Sequence, residues 1–157
     1  MSDMDGYKSI RSQDVKIVKK EALWKDAFGV LTVAQICYDQ PVLGSSDRYQ
    51  VRRVVVEKPS AVIVLPYDPY RDCVVVTEQV RPVGIFTGNE HPCIIELCAG
   101  LIDAGELPEE AARRELIEEN GLMAKQIERV ADYWVSPGWT TEKIYFFSAC
   151  VDAQGVN

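Results

Sequence analysis

The sequence predicts an α+β domain in which one well-punctuated helix sits among short β-rich segments. Three observations carry that prediction. Residues 108–121 have the start, body and stop of a helix. Roughly seven or eight apolar, β-branched runs of strand length, separated by turn-forming residues, fill most of the remainder. A length of 157 residues, 47% hydrophobic and 26% charged, suits a single domain with a substantial core.

The elements follow in order. Residues 1–13 are polar and expected to be mobile, so the domain is read as 14–157, with extra strands over about 14–57 and a core over about 58–157. Residues 14–20 alternate, Val15, Ile17 and Val18 standing among charges, and predict a first strand. Trp24 and Phe28 fall in a short connection. Residues 29–38 are β-branched and predict a second strand; 49–57 (YQVRRVVVE) form its hairpin partner across the turn-rich QPVLGSSDR. SAVIVLPY at 60–67 is nearly all apolar, as in a strand buried on both faces. A turn at DPYRD leads to a strand over 73–80, which Arg81-Pro82 ends. A loop over 83–92 precedes a strand at 94–98, and two further strands, 126–134 and 143–151, flank the turn VSPGWTTE.

The helix is the richest stretch. Pro108 suits the first helical position, where its missing N–H would have no partner, and Glu109 and Glu110 complement the positive end of the dipole. Gly121 stands where a helix closes on a left-handed residue. Glu115, Glu118 and Glu119 fall within roughly 100° of the helical wheel, and Ala112, Leu116 and Ile117 are read as the core face. Taken alone, the carboxylates fit a solvated acidic face. Like charges at this spacing repel by about 0.2–0.5 kcal/mol per pair. A hard divalent cation would turn that repulsion into coordination, because Mg²⁺ takes oxygen ligands and shares its sites with substrate phosphates.

The wider spacing decides between the two. GLIDAGELPEEAARRELIEENGL, residues 100–122, carries Gly100, then Glu106, then Arg114-Glu115-Leu116, then Glu118-Glu119, then Gly121-Leu122. This pattern resembles the complete signature of the Nudix hydrolases. The resemblance implies an α/β/α sandwich around a mixed sheet, a loop–helix–loop that binds Mg²⁺ (in some members Mn²⁺), and hydrolysis of a nucleoside diphosphate linked to another moiety. It implies Glu115, Glu118 and Glu119 as metal ligands with the Ala99 carbonyl as a further one, while Arg114 and Glu106 orient the loop against the helix.

Further stretches resemble the ADP-ribose pyrophosphatase branch of that family. Pro137 in SPGWTTE lies fifteen residues beyond Leu122, a register similar to that branch. The segments around Arg53 and Arg81 resemble those whose arginines contact the phosphates, a task suited to the planar guanidinium fork. The strands before the core are similar to an arm that pairs subunits, which implies a homodimer in which Trp24 or Phe28 stacks on the nucleobase. The expected activity is a Mg²⁺-dependent nucleotide-sugar diphosphatase, ADP-ribose giving AMP and ribose 5-phosphate. FTGNE and IIELCAGLID also resemble GDP-mannose and UDP-glucose pyrophosphatases, and a non-catalytic nucleotide-sugar-binding module is the rival from another class. In this branch a glutamate on a loop after the last strand, and a C-terminal helix, complete the fold. The sequence ends in VDAQGVN before either, so the reading expects a truncated end, or else Glu142 or one of the three box glutamates acting as the base.

Composition narrows the partners. A net charge of −7 argues against general nucleic-acid binding, which uses a basic patch or stripe. It also requires local cations wherever a diphosphate is held. No apolar run approaches the roughly 20 residues of a membrane span, and MSDMDGYKSI lacks the apolar core of a signal peptide. Cys37, Cys73, Cys93, Cys98 and Cys150 form no CxxC pair and are read as buried thiols of a reducing cytoplasm. The single histidine, His91, is read as a loop residue.

Overall fold

The computed structural model describes residues 9–156; residues 1–8, part of the stretch expected to be mobile, and Asn157 lie outside the described residues. The chain divides into two compact units, one running to Lys58 and including Ser136–Thr141, the other comprising Pro59–Val135 and the chain from Glu142.

The first unit is an antiparallel meander of β1 (Lys16–Lys25), β2 (Thr32–Pro41) and β3 (Arg48–Glu57). A single 3-10 turn, Ser12–Asp14, precedes it. The expected hairpin of the second and third strands forms, but the first strand runs further than its alternation suggested and includes Trp24. All ten residues of β1 are exposed, so no burial pattern marked its extent. The β1–β2 turn is closed by Asp26, whose carboxylate accepts the Leu31 N–H at 2.8 Å. Gly29 there takes a φ of +72°, which glycine adopts without steric cost. Residues 136–141 return to this unit. Val56 donates to the Trp139 carbonyl at 2.7 Å, and Thr141 donates back to Val56 at 3.0 Å.

The second unit contains β4 (Ala61–Asp68), β5 (Cys73–Val74), β6 (Thr77–Val80), α1 (Pro82–Phe86), β7 (Cys93–Glu96), β8 (Cys98–Leu101), α2 (Pro108–Asn120), β9 (Gln126–Trp134) and β10 (Lys143–Cys150). Its main sheet has the order β5-β4-β10-β9, with β8 also paired to β4. β4 and β10 are parallel and the other pairs antiparallel, which gives the mixed sheet that the sequence implied. β6 and β7 form a separate antiparallel hairpin. Val62 and Val64 of β4, Phe147 and Ala149 of β10, and Ala111, Ala112 and Leu116 of α2 make one apolar core. The helix packs on β8, β4 and β10.

Three expectations need correction here. The segment 73–80 is two short strands rather than one. The segment 94–98 belongs to two strands, the hairpin strand β7 and the sheet strand β8. The stretch 83–92, expected as a loop, begins within the short helix α1, where Pro82 acts as a helix starter instead of a strand terminator. Gly84 of that helix packs so closely on Pro92 that a Cβ would lie 2.9 Å from the Pro92 Cα.

Candidate active site

The functional geometry begins with how α2 is aimed. Pro108 occupies its first turn, and the Glu110 carboxylate accepts the Leu107 N–H at 2.9 Å, satisfying one of the donors that a helix start leaves open. Gly121 closes it in the left-handed region at φ +67°, its N–H reaching the Ile117 carbonyl at 2.9 Å. Leu122 then folds back into the core.

The inward arc differs from the one expected. Ala111, Ala112 and Leu116 are buried, whereas Ile117, read as core, is 52% exposed. With about 100° per residue, Glu115 and Glu119 fall between Ala111 and Leu116 on the wheel. Glu115 therefore shares the buried side of the helix, whereas Glu118 and Glu119 are exposed, Glu119 reaching back to β8 from the rim. The Glu115 side chain is only 13% exposed and that of Glu118 59%.

What lets a carboxylate turn inward is the strand beneath it. A Cβ built on Gly100 of β8 would overlap the Glu115 carboxylate, so glycine at this position is the room that Glu115 occupies. One residue earlier, the Ala99 N–H donates to Glu119 Oε2 at 3.1 Å. Cys98 precedes it, fully buried, and its thiol is pushed up to about 12, first by burial and then by the Glu119 and Glu115 carboxylates. It stays a neutral thiol.

Arg114 gathers the acids. Its Nε and Nη2 both donate at 2.9 Å to the two oxygens of Glu106, a fork-to-fork pair, and Nη2 also reaches the Leu101 carbonyl at 3.0 Å. Nη1 then donates to Glu115 Oε1 at 2.6 Å and to Glu118 Oε2 at 3.1 Å. The hydrogen bonds from Arg114 hold the Glu106 carboxyl down to about 2, with the Asp103 N–H assisting. The surrounding carboxylates raise the Arg114 guanidinium above its ordinary range. Among the described residues, no three His, Cys, Asp or Glu side chains converge closely enough to enclose an ion. The arginine, bridging pairs of acids, is what organises them here.

Residues 57–157 match the NUDIX domain. The chain belongs to the Nudix family. Among its relatives, the ADP-ribose pyrophosphatase of Escherichia coli (strain K12) is 36% identical over 140 residues, covering 89% of this chain and 65% of that protein. The ADP-ribose pyrophosphatase of Haemophilus influenzae is 32% identical over 159 residues, 98% of this chain and 72% of that one. A GDP-mannose pyrophosphatase of Salmonella arizonae is 33% identical over 138 residues, 88% and 70%. The chain thus spans 65% of the length of the E. coli relatives it matches. A solved structure described as an ADP compounds hydrolase shares the fold with a TM-score of 0.68 at 23% identity, over 93% of this chain and 71% of that one.

Within this Nudix chain, Ala99, Glu115, Glu118, Glu119, Arg81 and Glu142 all belong to the second unit; Glu115, Glu119 and Ala99 meet at the α2–β8 contact, and Glu118 is tied to Glu115 through Arg114. Arg81 lies just beyond β6, its Nε donating to Glu96 Oε2 at 2.6 Å. The Glu142 carbonyl accepts the Val135 N–H at 3.2 Å immediately before β10. Trp24, Phe28, Arg53 and Pro137 belong to the first unit. Trp24 is 55% exposed and Phe28, in the β1–β2 turn, 90% exposed. Arg53 lies exposed on β3, its Nη1 donating to the neighbouring Arg52 carbonyl at 2.8 Å. Pro137 sits in a turn closed by the Thr140 N–H on the Ser136 carbonyl at 3.0 Å. Sequence reasoning missed Glu96. No signal within the sequence marks it: the pair follows from the β6–β7 register, in which Thr77 opposes Glu96 and 77, 79, 81, 94 and 96 share one face.

Proposed function

We propose that this chain carries the active centre of a Mg²⁺-dependent nucleotide-sugar diphosphatase and that ADP-ribose is its substrate, cleaved to AMP and ribose 5-phosphate. The observation that carries the reading is Glu115 turned inward against Gly100, with Glu119 beside it on the Ala99 amide, in a protein whose relatives include ADP-ribose pyrophosphatases. The donor chemistry suits a hard cation: carboxylate oxygens of Glu115, Glu118 and Glu119 with the Ala99 carbonyl, Glu115 occupying the room that glycine at position 100 leaves. Mn²⁺ would suit the same oxygens. Bound there, the metal supplies charge neutralisation at the diphosphate and acidifies a coordinated water.

The protein's own groups do the rest. Arg114, pinned by Glu106, fixes Glu115 and Glu118 so that neither carboxylate has to be ordered when substrate arrives. Arg81 and Arg53 offset the charge of the diphosphate, which a chain of net charge −7 could not otherwise hold. Water adds to one phosphorus as the bridging P–O bond breaks, and the water's proton leaves through a carboxylate, with Glu142 and the box glutamates as candidates. Trp24 or Phe28 stacks on the nucleobase, and Pro137 shapes the turn beside the substrate.

We further place the protein in the cytoplasm as a homodimer. The support for the dimer is β1, exposed along its whole length with Ile17, Val18, Leu23 and Trp24 uncovered. A monomer in sedimentation at micromolar concentration would overturn it. Relatives that are GDP-mannose pyrophosphatases favour a second reading with that sugar nucleotide as substrate. Rates on ADP-ribose, GDP-mannose and UDP-glucose under identical Mg²⁺ decide: the first is expected to have the highest kcat/KM, and a tenfold preference for either other sugar would reassign the substrate.

A further inference from the structure

The hairpin β6–β7 holds a charged pair that the metal centre does not use. Arg81 follows β6, and its side chain runs back along the hairpin face to reach Glu96 at the far end of β7. Both groups are half-buried. Glu96 accepts from Nε alone, and among the described residues no other hydrogen bond is made by the Arg81 side chain. The two terminal nitrogens, the edge of the guanidinium that forms paired bonds to phosphate oxygens, are uncommitted. Arg53 offers the contrast, being exposed with a backbone carbonyl as its one hydrogen-bond partner among the described residues.

The hairpin is itself tied to the helix of the carboxylates. Asn120, the last residue of α2, donates its side-chain N–H to Thr77 Oγ at 3.1 Å, and Thr77 is the residue directly opposite Glu96. The path runs from α2 through Asn120 and Thr77 to the strand pair that carries Glu96, and from Glu96 to Arg81. All of these residues lie in one compact unit.

We infer that Glu96 is a positioning residue for the diphosphate site: by holding Arg81 through Nε it presents the terminal nitrogens in one orientation, at a place registered to the metal helix by the Asn120–Thr77 bond. The inference rests on the reading of Arg81 as a phosphate contact. A long arginine side chain loses rotamer freedom when it binds, and a carboxylate that orders it beforehand removes that cost from the binding step.

The test is a set of variants, Glu96→Ala, Glu96→Gln, Arg81→Ala and the double substitution, each measured for ADP-ribose affinity by calorimetry with chelator present and for kcat and KM with Mg²⁺. Glu96→Ala is expected to weaken binding and lower kcat/KM by about tenfold, the lower end of what loss of an orienting partner costs. Glu96→Gln keeps an acceptor for Nε and is expected to stay within about threefold of the parent, because the hydrogen bond is retained. On the Arg81→Ala background Glu96→Ala should add nothing, since its effect acts through that arginine. If Arg81→Ala weakens binding but Glu96→Ala is silent, or costs as much with Arg81 absent, the inference falls and the phosphate role of Arg81 stands. If Arg81→Ala itself leaves affinity unchanged, the phosphate role falls and the inference with it. Thermal midpoints separate these outcomes from misfolding. Should Glu96→Ala unfold, Glu96→Gln with Gln less than threefold impaired, against Thr77→Val impaired, supports the path; equal impairment of both overturns it.

Discussion

Replacing Gly100 by alanine separates the fold from the site. Gly100 lies in β8 opposite Val62, and its backbone is outside the left-handed region, so alanine meets no backbone strain there. Strand alanine also avoids the entropic cost of glycine, a gain of about 0.5–1 kcal/mol. The three atoms nearest the added Cβ all belong to the Glu115 carboxylate, the far end of a side chain able to swing away. Arg114 would lose one acceptor but keep both bonds to Glu106. Gain and loss offset, and stability should change by no more than about 2 kcal/mol, the scale of one charge-assisted hydrogen bond. The site fares worse. Glu115 would be expelled from the place where it faces Ala99 and Glu119, and metal affinity should fall about 10–100-fold, or roughly 1.4–2.7 kcal/mol. Mn²⁺ binding followed by electron paramagnetic resonance, beside thermal unfolding in chelator, reads both quantities. A protein that unfolds near the parent temperature and binds metal weakly is the expected result. Unchanged affinity in a folded Gly100→Ala protein would refute the claim that glycine makes room for a ligand.

Glu119→Gln keeps an oxygen for the Ala99 N–H but removes the charge, so the fold should survive while Mg²⁺-supported turnover drops on the order of 10²-fold or more; a parent-like rate at saturating Mg²⁺ would remove Glu119 from the site. Leu116→Ala empties a fully buried position under the sheet and should cost about 2–5 kcal/mol in urea unfolding; a cost below 1 kcal/mol, roughly the scale of a surface substitution, would contradict the packing described. The Glu106 carboxyl is held down to about 2 from an ordinary 4.5, so the stability it contributes is present in full above pH 4.5 and lost as the pH falls toward 2. Glu106→Gln should flatten the acid limb of the urea midpoint in that window, and a limb of parent steepness would show that the Arg114 pair does not carry it.

The parts of this molecule that follow from local chemistry were legible in the sequence. Pro108 and Gly121 bound α2 where residue type alone said they should, because the needs of a helix end are local. The apolar run 60–67 became the central strand β4. The misses have long-range causes. Trp24 was left out of β1 because that strand buries neither face, so alternation stops before the strand does. The helix α1 is five residues long and contains a glycine, too short for a period of 3.6 to be visible. Ile117 was given to the core, and the three carboxylates taken alone fitted a solvated face, because hydropathy assigns apolar residues inward. Ile117 is exposed and Glu115 turns inward, the latter because of an absent side chain on another element, Gly100 on β8, which no periodicity within the helix reveals. The glutamate box was readable from spacing. The Arg81–Glu96 pair was not, since it depends on a hairpin register and on a split between β7 and β8.

The carboxylates of Glu115, Glu118 and Glu119 are proposed to form a metal-dependent centre for diphosphate hydrolysis. Phosphorus NMR of ADP-ribose incubated with the protein, first in chelator and then with Mg²⁺ in excess, tests it most directly. The diphosphate signals should persist in chelator and give way on adding Mg²⁺ to two phosphomonoester signals, those of AMP and ribose 5-phosphate. Diphosphate signals that persist with Mg²⁺ over a long incubation, while calorimetry shows ADP-ribose bound, would contradict it and leave a nucleotide-sugar-binding module instead.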